Sequence, residues 1–252
     1  MVYFVGAGSG APDLITVRGQ KLLKKADVVI YAGSLVNEQL LENCKDECEI
    51  YNSAYMNLSE VLSVMFDAHE RGLTVVRLHT GDPSIYGAIR EQMDALDDRK
   101  IPYEVCPGVS SFCAAAAALN AEYTLPGVSQ SVIITRIAGK TPVKDEESLR
   151  SFAAHKASMV IFLSMGYIDK VVEELTVGGY DSNTPAAIVY KASWDDQKII
   201  RCPLHSLAAK AGEAGITRTA LIVVGGFLGD DYELSKLYDA EFTTMYRKGT
   251  GK

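Results

Sequence analysis

Thr80-Gly81-Asp82-Pro83-Ser84-Ile85-Tyr86-Gly87 follows the apolar run Thr74 to Leu78, so it reads as a tight, glycine-bounded loop at the end of a buried strand. In an open α/β sheet the crevice beyond the carboxyl ends of the strands is where small molecules bind. Loops there turn backbone N–H and carbonyl groups onto a guest. Gly81 permits close approach, Pro83 stiffens the turn, and Asp82 adds an acceptor. Taken alone, the stretch also fits an ordinary strand-to-helix turn.

Working outward, strand-like and helix-like segments alternate on both sides of this loop, the pattern of a parallel sheet covered by helices. Val2 to Val5, Val28 to Tyr31, Cys48 to Tyr51, Val75 to Leu78 and Tyr103 to Val105 are predicted strands. Thr16 and Ser59 are placed to cap helices, a third helix is predicted from about Ser84 to Leu96, and Ser110 or Ser111 opens a fourth through the alanines 114 to 118. Glu122 to Gly127, with Pro126 and Gly127, looks like a connector. Beyond it the strands predicted are Ser131 to Thr135, Met159 to Leu163, Pro185 to Tyr190, Lys198 to Cys202 and Ala220 to Val224. The helices between them fall near Glu147 to Ala154, Ile168 to Val177 and Ser206 to Ala214. Consecutive strands flanking Trp194-Asp195-Asp196 suggest an antiparallel pair. The expected class is therefore α/β in two domains, residues 1–121 with a mainly parallel sheet and residues 122–252 with a mixed one. The tail after Asp230 is polar.

Composition narrows the function. A chain of 252 residues buries roughly 70–75% of its unfolded surface and needs no disulfide staple. The five cysteines, Cys44, Cys48, Cys106, Cys113 and Cys202, are odd in number and irregularly spaced, as expected of reduced thiols in a cytoplasmic protein. No metal site is expected, because Cys44 and Cys48 lack a second ligand pair and His69, His155 and His205 form none. No stretch reaches the ~18–20 apolar residues of a membrane span, and Met1 to Val5 carries no basic leader. A net charge of −7 offers no general attraction for nucleic acid or anionic lipid.

The first glycine cluster, Gly6-Ala7-Gly8-Ser9-Gly10-Ala11, nominally satisfies the dinucleotide pattern. Two features oppose that reading: Pro12 to Ile15 intervene before the helix, and Tyr31-Ala32-Gly33-Ser34 lacks the acid that would hold a ribose. A structural turn and a different ligand remain open.

The glycine cluster, the Gly81-Asp82-Pro83 loop and Pro107-Gly108-Val109-Ser110-Ser111 each close a strand of the first half. In their order and spacing the chain resembles the tetrapyrrole methylase family of S-adenosylmethionine-dependent enzymes. The likeness extends to Ser158-Met159-Val160-Ile161-Phe162-Leu163-Ser164-Met165 and Thr219-Ala220-Leu221-Ile222-Val223-Val224-Gly225. Tyr31 to Val36, Leu78 to Arg90, Ser110 to Ala115 and Tyr190 to Trp194 look like the branch that methylates carbon 11 of precorrin-4 or cobalt-precorrin-4 in corrin ring synthesis.

The resemblance implies a two-domain fold with the cofactor in the cleft between the domains. It implies S-adenosylmethionine as donor and S-adenosylhomocysteine as product. Ser9, Thr80, Gly81, Asp82, Ile85, Ser110 and Ser111 would contact the donor, while Met165, Ala192, Thr219 and Ala220 would line its adenine side. Asp82 and His79 are the titratable candidates for catalysis. A tetrapyrrole substrate and a cytoplasmic homodimer are implied, with no nucleic-acid or membrane partner. A carboxylate-rich substrate would call on Arg18, Arg90, Arg136 or Arg218. Relatives acting on uroporphyrinogen carry an aspartate and a lysine where this chain has Ala32 and Asn52-Ser53, so those proton-transfer roles do not carry over. The family's first loop usually ends in aspartate, and Ala11 stands in its place. The alternatives are methylation at another ring carbon, or ribosomal RNA methylation, which the acidic charge disfavours. A nicotinamide oxidoreductase and a pure binding protein are the readings from other classes.

Overall fold

The computed structural model describes residues 1–250. The chain forms two compact units, Met1–Ala115 joined by Lys191–Gln197, and Ala116–Tyr190 continued from Lys198.

In the first unit, β1 (Val2–Gly6), β2 (Val28–Tyr31), β3 (Glu49–Asn52), β4 (Val75–His79) and β5 (Tyr103–Cys106) form one sheet in the order β3-β2-β4-β1-β5. Every pairing is parallel, with Val2 opposite Val75 and Tyr103. Alternate side chains leave opposite faces of such a sheet. Accordingly Val5, Val29, Val76 and Leu78 pack with Leu23 of α1 (Val17–Lys25), while Phe4, Ile30 and Val75 pack with Met65 of α2 (Leu58–Glu70) and Leu96 of α3 (Arg90–Asp98). Each fully buried Leu, Met or Phe of this kind contributes about 1.5–3 kcal/mol. Strands β4, β1 and edge strand β5 lie side by side and parallel, so their carboxyl ends and the three glycine loops leave from one end of the sheet.

Thr16 caps α1 as expected, its hydroxyl accepting from the Gly19 N–H at 3.0 Å. Two local expectations change. Asn57, and not Ser59, caps α2: its side chain accepts from the Glu60 N–H at 3.0 Å, while the Glu60 carboxylate accepts from the Asn57 N–H at 2.7 Å. That reciprocal pair satisfies two N–H groups that Ser59, already inside the first turn, could not. The helix expected from Ser84 begins at Arg90 instead. Tyr86 (φ 55°) and Ala88 (φ 49°) are left-handed, and a side chain at Gly87 would strike the Pro83 carbonyl at 2.1 Å, so the chain coils through a turn before the helix starts.

The second unit has the order β6-β7-β10-β8-β9, from β6 (Val132–Arg136), β7 (Ser158–Phe162), β8 (Pro185–Tyr190), β9 (Lys198–Pro203) and β10 (Ala220–Val224). β6 and β7 are parallel; the other pairings are antiparallel, including the anticipated β8–β9 pair with Tyr190 opposite Lys198. Met159, Ile161, Ile188 and Ile222 pack against Val171 and Leu175 of α6 (Ile168–Gly178) and Leu207 of α7 (Leu207–Glu213). The remaining helices are α4 (Ser111–Leu119) and α5 (Leu149–Ala153). No described helix is long and apolar enough to cross a membrane.

Candidate active site

Three loops meet in the first unit by backbone contact. The Gly81 N–H donates to the Gly8 carbonyl at 2.8 Å, the Gly8 N–H returns a bond to Gly81 at 3.3 Å, and the Ala7 N–H donates to the His79 carbonyl at 2.7 Å. Gly6 and Gly108 close against the same Gly81 carbonyl: a Cβ would lie 2.5 Å from that oxygen at Gly6 and 2.2 Å from it at Gly108. No other residue fits at either place, and this is why glycines stand in two different loops. At Gly81 a Cβ would find room, 3.5 Å from the Ser110 Cα, but its φ of +59° restricts the position to glycine at low cost.

Asp82 ties the second loop to the third. One carboxylate oxygen accepts from the Gly108 N–H at 2.9 Å, and the other accepts from the Ser84 N–H at 2.8 Å and the Ser84 hydroxyl. Burial by itself would raise the Asp82 pKa, but the Ser84 and Gly108 donors outweigh it and hold the carboxyl below its usual range. It therefore serves as a fixed anion that orders backbone amides.

His79, two residues after Arg77 on β4, is only 4% exposed. Its Nε2 is buried without a hydrogen-bond partner, and its ring lies 6.1 Å from that of Phe4. Burial, reinforced by the Arg77 charge, pushes its pKa down to about 3. At neutral pH the imidazole is uncharged and lacks the acidic imidazolium proton.

A fourth segment completes the cluster. Lys191–Gln197, far along the chain, folds with the first unit. The Ser9 and Ser193 hydroxyls bond at 2.9 Å, the Ala11 N–H donates to the Ser193 hydroxyl at 3.1 Å, and the Trp194 indole N–H donates to the Ser9 carbonyl at 3.1 Å. Trp194 also covers Gly10, where a Cβ would meet the ring at 2.1 Å. Ser193 thus satisfies the Ala11 backbone N–H, while the Ala11 side chain offers no polar group of its own.

The structure brings Ser9, Thr80, Gly81, Asp82, Ile85, Ser110, Ser111 and Ala192 into the first unit. Ser9, Gly81, Ser110 and Ala192 are buried, and Thr80, Asp82, Ile85 and Ser111 are half-buried. Met165, Thr219 and Ala220 belong to the second unit, at the sheet end where β7 finishes and β10 begins. Met165 is buried in that unit's core, and Thr219 is left-handed at φ 55°. Of the arginines, Arg90 pairs with Asp94 at 2.7 Å, and Arg136 donates to the Ile137, Thr141 and Pro142 carbonyls. Arg18 and Arg218 are exposed. Sequence reasoning missed Gly6 and Gly108 as a pair packed against one another and Ser193 and Trp194 as partners of the first loop. The glycines were visible as strand-end punctuation, but no local signal marks the second contact.

A model of the tetrapyrrole (corrin/porphyrin) methylases matches residues 1–208, and the chain belongs to that family. Among curated relatives, a cobalt-precorrin-4 C(11)-methyltransferase of Methanocaldococcus jannaschii is 56% identical over 252 residues, covering all of this chain and 97% of the relative. A precorrin-4 C(11)-methyltransferase of Pseudomonas aeruginosa is 45% identical over 249 residues, covering 98% and 99% of the two chains. The X-ray structure of a cobalt precorrin-4 methyltransferase of cobalamin biosynthesis superposes with a TM-score of 0.89 at 45% identity, covering 91% of this chain and 96% of that one. A Thermus thermophilus uroporphyrin-III C-methyltransferase complexed with S-adenosylhomocysteine is similar at a TM-score of 0.75 and 28% identity, covering 90% and 92%.

Proposed function

We propose that this chain is a methyltransferase that uses S-adenosylmethionine to methylate carbon 11 of precorrin-4 or cobalt-precorrin-4. The reading rests on one observation: three glycine loops closed on one another at Gly6, Gly81 and Gly108, in a chain that aligns end to end with C(11)-methyltransferases. In this reading the cradle takes a donor with an amino-acid part and a ribose. Gly81 is the glycine of the cradle that leaves room, the Ser110 Cα lying 3.5 Å from where its Cβ would be, and Asp82 and Ser110 bring polar groups to the same loops. In this reading Ser9, Thr80, Gly81, Asp82, Ile85, Ser110, Ser111 and Ala192 hold the donor, together with Met165, Thr219 and Ala220.

The donor would supply an electrophilic methyl on sulfur: the carbon–carbon bond to the ring forms as the S–CH3 bond breaks, S-adenosylhomocysteine leaves with the electron pair, and the methylated ring sheds the transferred positive charge as a proton to solvent. What remains for the protein is orientation and exclusion of water, and such positioning accounts for a large share of a barrier of this kind. Asp82 orders the loops, and His79 is a buried neutral residue at the end of β4. Neither is assigned a proton transfer.

Calorimetric titration with S-adenosylhomocysteine and then with NAD tests the reading, with saturable heat expected for the first alone. Saturation by NAD and none by S-adenosylhomocysteine would reverse it. Mass analysis of product from metal-free and cobalt-loaded precorrin-4 then identifies the substrate, expected to gain a single methyl.

A further inference from the structure

The five residues of β4 are all buried, and the central one is an arginine. Arg77 is 7% exposed and has no carboxylate within ion-pair reach among the described residues. Its Nη1 donates to the Ile30 carbonyl at 3.1 Å and its Nε to the Gln92 side-chain oxygen at 3.3 Å. A buried guanidinium without a counter-charge is a costly way to fill a core; an apolar side chain of similar volume generally serves stability better. Its place in the core therefore raises the question of what its partner does.

Gln92, on the first turn of α3 and 5% exposed, passes the contact on: its side-chain N–H donates to the Ala88 carbonyl at 3.1 Å. Ala88 is the last left-handed residue of the loop that follows Asp82, with φ 49°, and Tyr86 two residues earlier has φ 55°. Non-glycine residues persist in that conformation only when their surroundings impose it. At its start the loop is imposed by Asp82, through Ser84 and Gly108. At its end the Arg77–Gln92 chain reaches it from the core.

We propose that Arg77 and Gln92 are positioning residues that hold the Asp82–Ile89 loop in its strained form, and through it the donor cradle. The inference builds on the methyl-donor reading of that loop. An amide is the needed group because it accepts from arginine on one side and donates to a carbonyl on the other. A glutamate at position 92 keeps the first contact, as an ion pair, and destroys the second.

Gln92→Glu therefore separates bracing from core stability. Expected are a melting temperature at or above wild type, amides of Ser84 to Ala88 exchanging about tenfold faster, and S-adenosylhomocysteine bound roughly tenfold more weakly, the effect of one lost hydrogen bond and an unpaired carbonyl. Adding Ala88→Gly, which removes the left-handed penalty, should restore most of that affinity. Wild-type exchange in the Gln92→Glu loop would overturn the proposal, and so would a melting temperature well below wild type. Failure of the wild-type protein to bind S-adenosylhomocysteine would overturn the donor reading instead, while loop exchange would still decide the bracing role.

Discussion

Acidification should destabilise this protein well before its carboxylates titrate, and His79 should be the cause. The side chain has an ordinary pKa of 6.5 in the unfolded chain and about 3 in the fold. Burial is the main reason and the Arg77 charge the second. The folded value lies below the unfolded one, so between these two values the unfolded chain binds a proton that the folded chain refuses. Stability then falls as pH drops below 6.5 and continues to fall until about pH 3. Linkage across 6.5 and about 3 gives a loss of about 2 kcal/mol between pH 7.5 and pH 5. For a chain of this length that is a melting temperature lower by about 4–8 °C.

The window isolates the histidine from the perturbed carboxylates. Asp27, Glu49 and Asp82 are all held below ordinary values of 3.8, 4.5 and 3.8, so the stability they supply is present above those values and is lost only at lower pH. The assay is chemical denaturation at several pH values from 7.5 to 5, for wild type and for His79→Phe, which keeps a ring beside Phe4 but carries no proton. The variant should lose the slope across that window, whatever its absolute stability. A wild-type protein equally stable at both ends, or a variant that keeps the slope, would refute the placement of a neutral histidine in the core. The catalytic assignment is tested at the same time, because a histidine with this titration cannot act as an acid at neutral pH.

Two substitutions probe the loops and two probe a helix start. Gly108→Ala should cost about 1–3 kcal/mol by overpacking, because its Cβ would sit 2.2 Å from a backbone oxygen with no flexible side chain to yield; a melting curve matching wild type would contradict the loop closure. Gly81→Val should weaken both S-adenosylhomocysteine binding and stability, since a β-branched residue at φ +59° is strained even where the space is open; lost affinity at full stability would show that the strain is absorbed. Asn57→Ala should cost about 1 kcal/mol in thermal denaturation and Ser59→Ala much less, and the reverse order would return the cap to Ser59.

Residue 77 shows how far reading the chain could go. Val75-Val76-Arg77-Leu78 is recognisable as a strand because its neighbours are apolar and its ends are punctuated, and the parallel order follows from helices alternating with such runs. The glycine loops at the ends of β1, β4 and β5 were readable for the same reason, since glycine there marks a backbone that must turn or be approached. That an arginine would lie inward was not readable. A single charge in an apolar run signals nothing until the helix carrying Gln92 is placed against it, fifteen residues on. The same limit explains Ser193, whose contact with Ser9 spans 184 residues. Propensity acts over a turn or a strand, whereas a hydrogen bond across such a span exists only once the chain has folded. Local rules thus marked where the cradle's walls stand, while the groups that hold them in register, Gln92 on the loop after Asp82 and Ser193 on the first loop, are properties of packing.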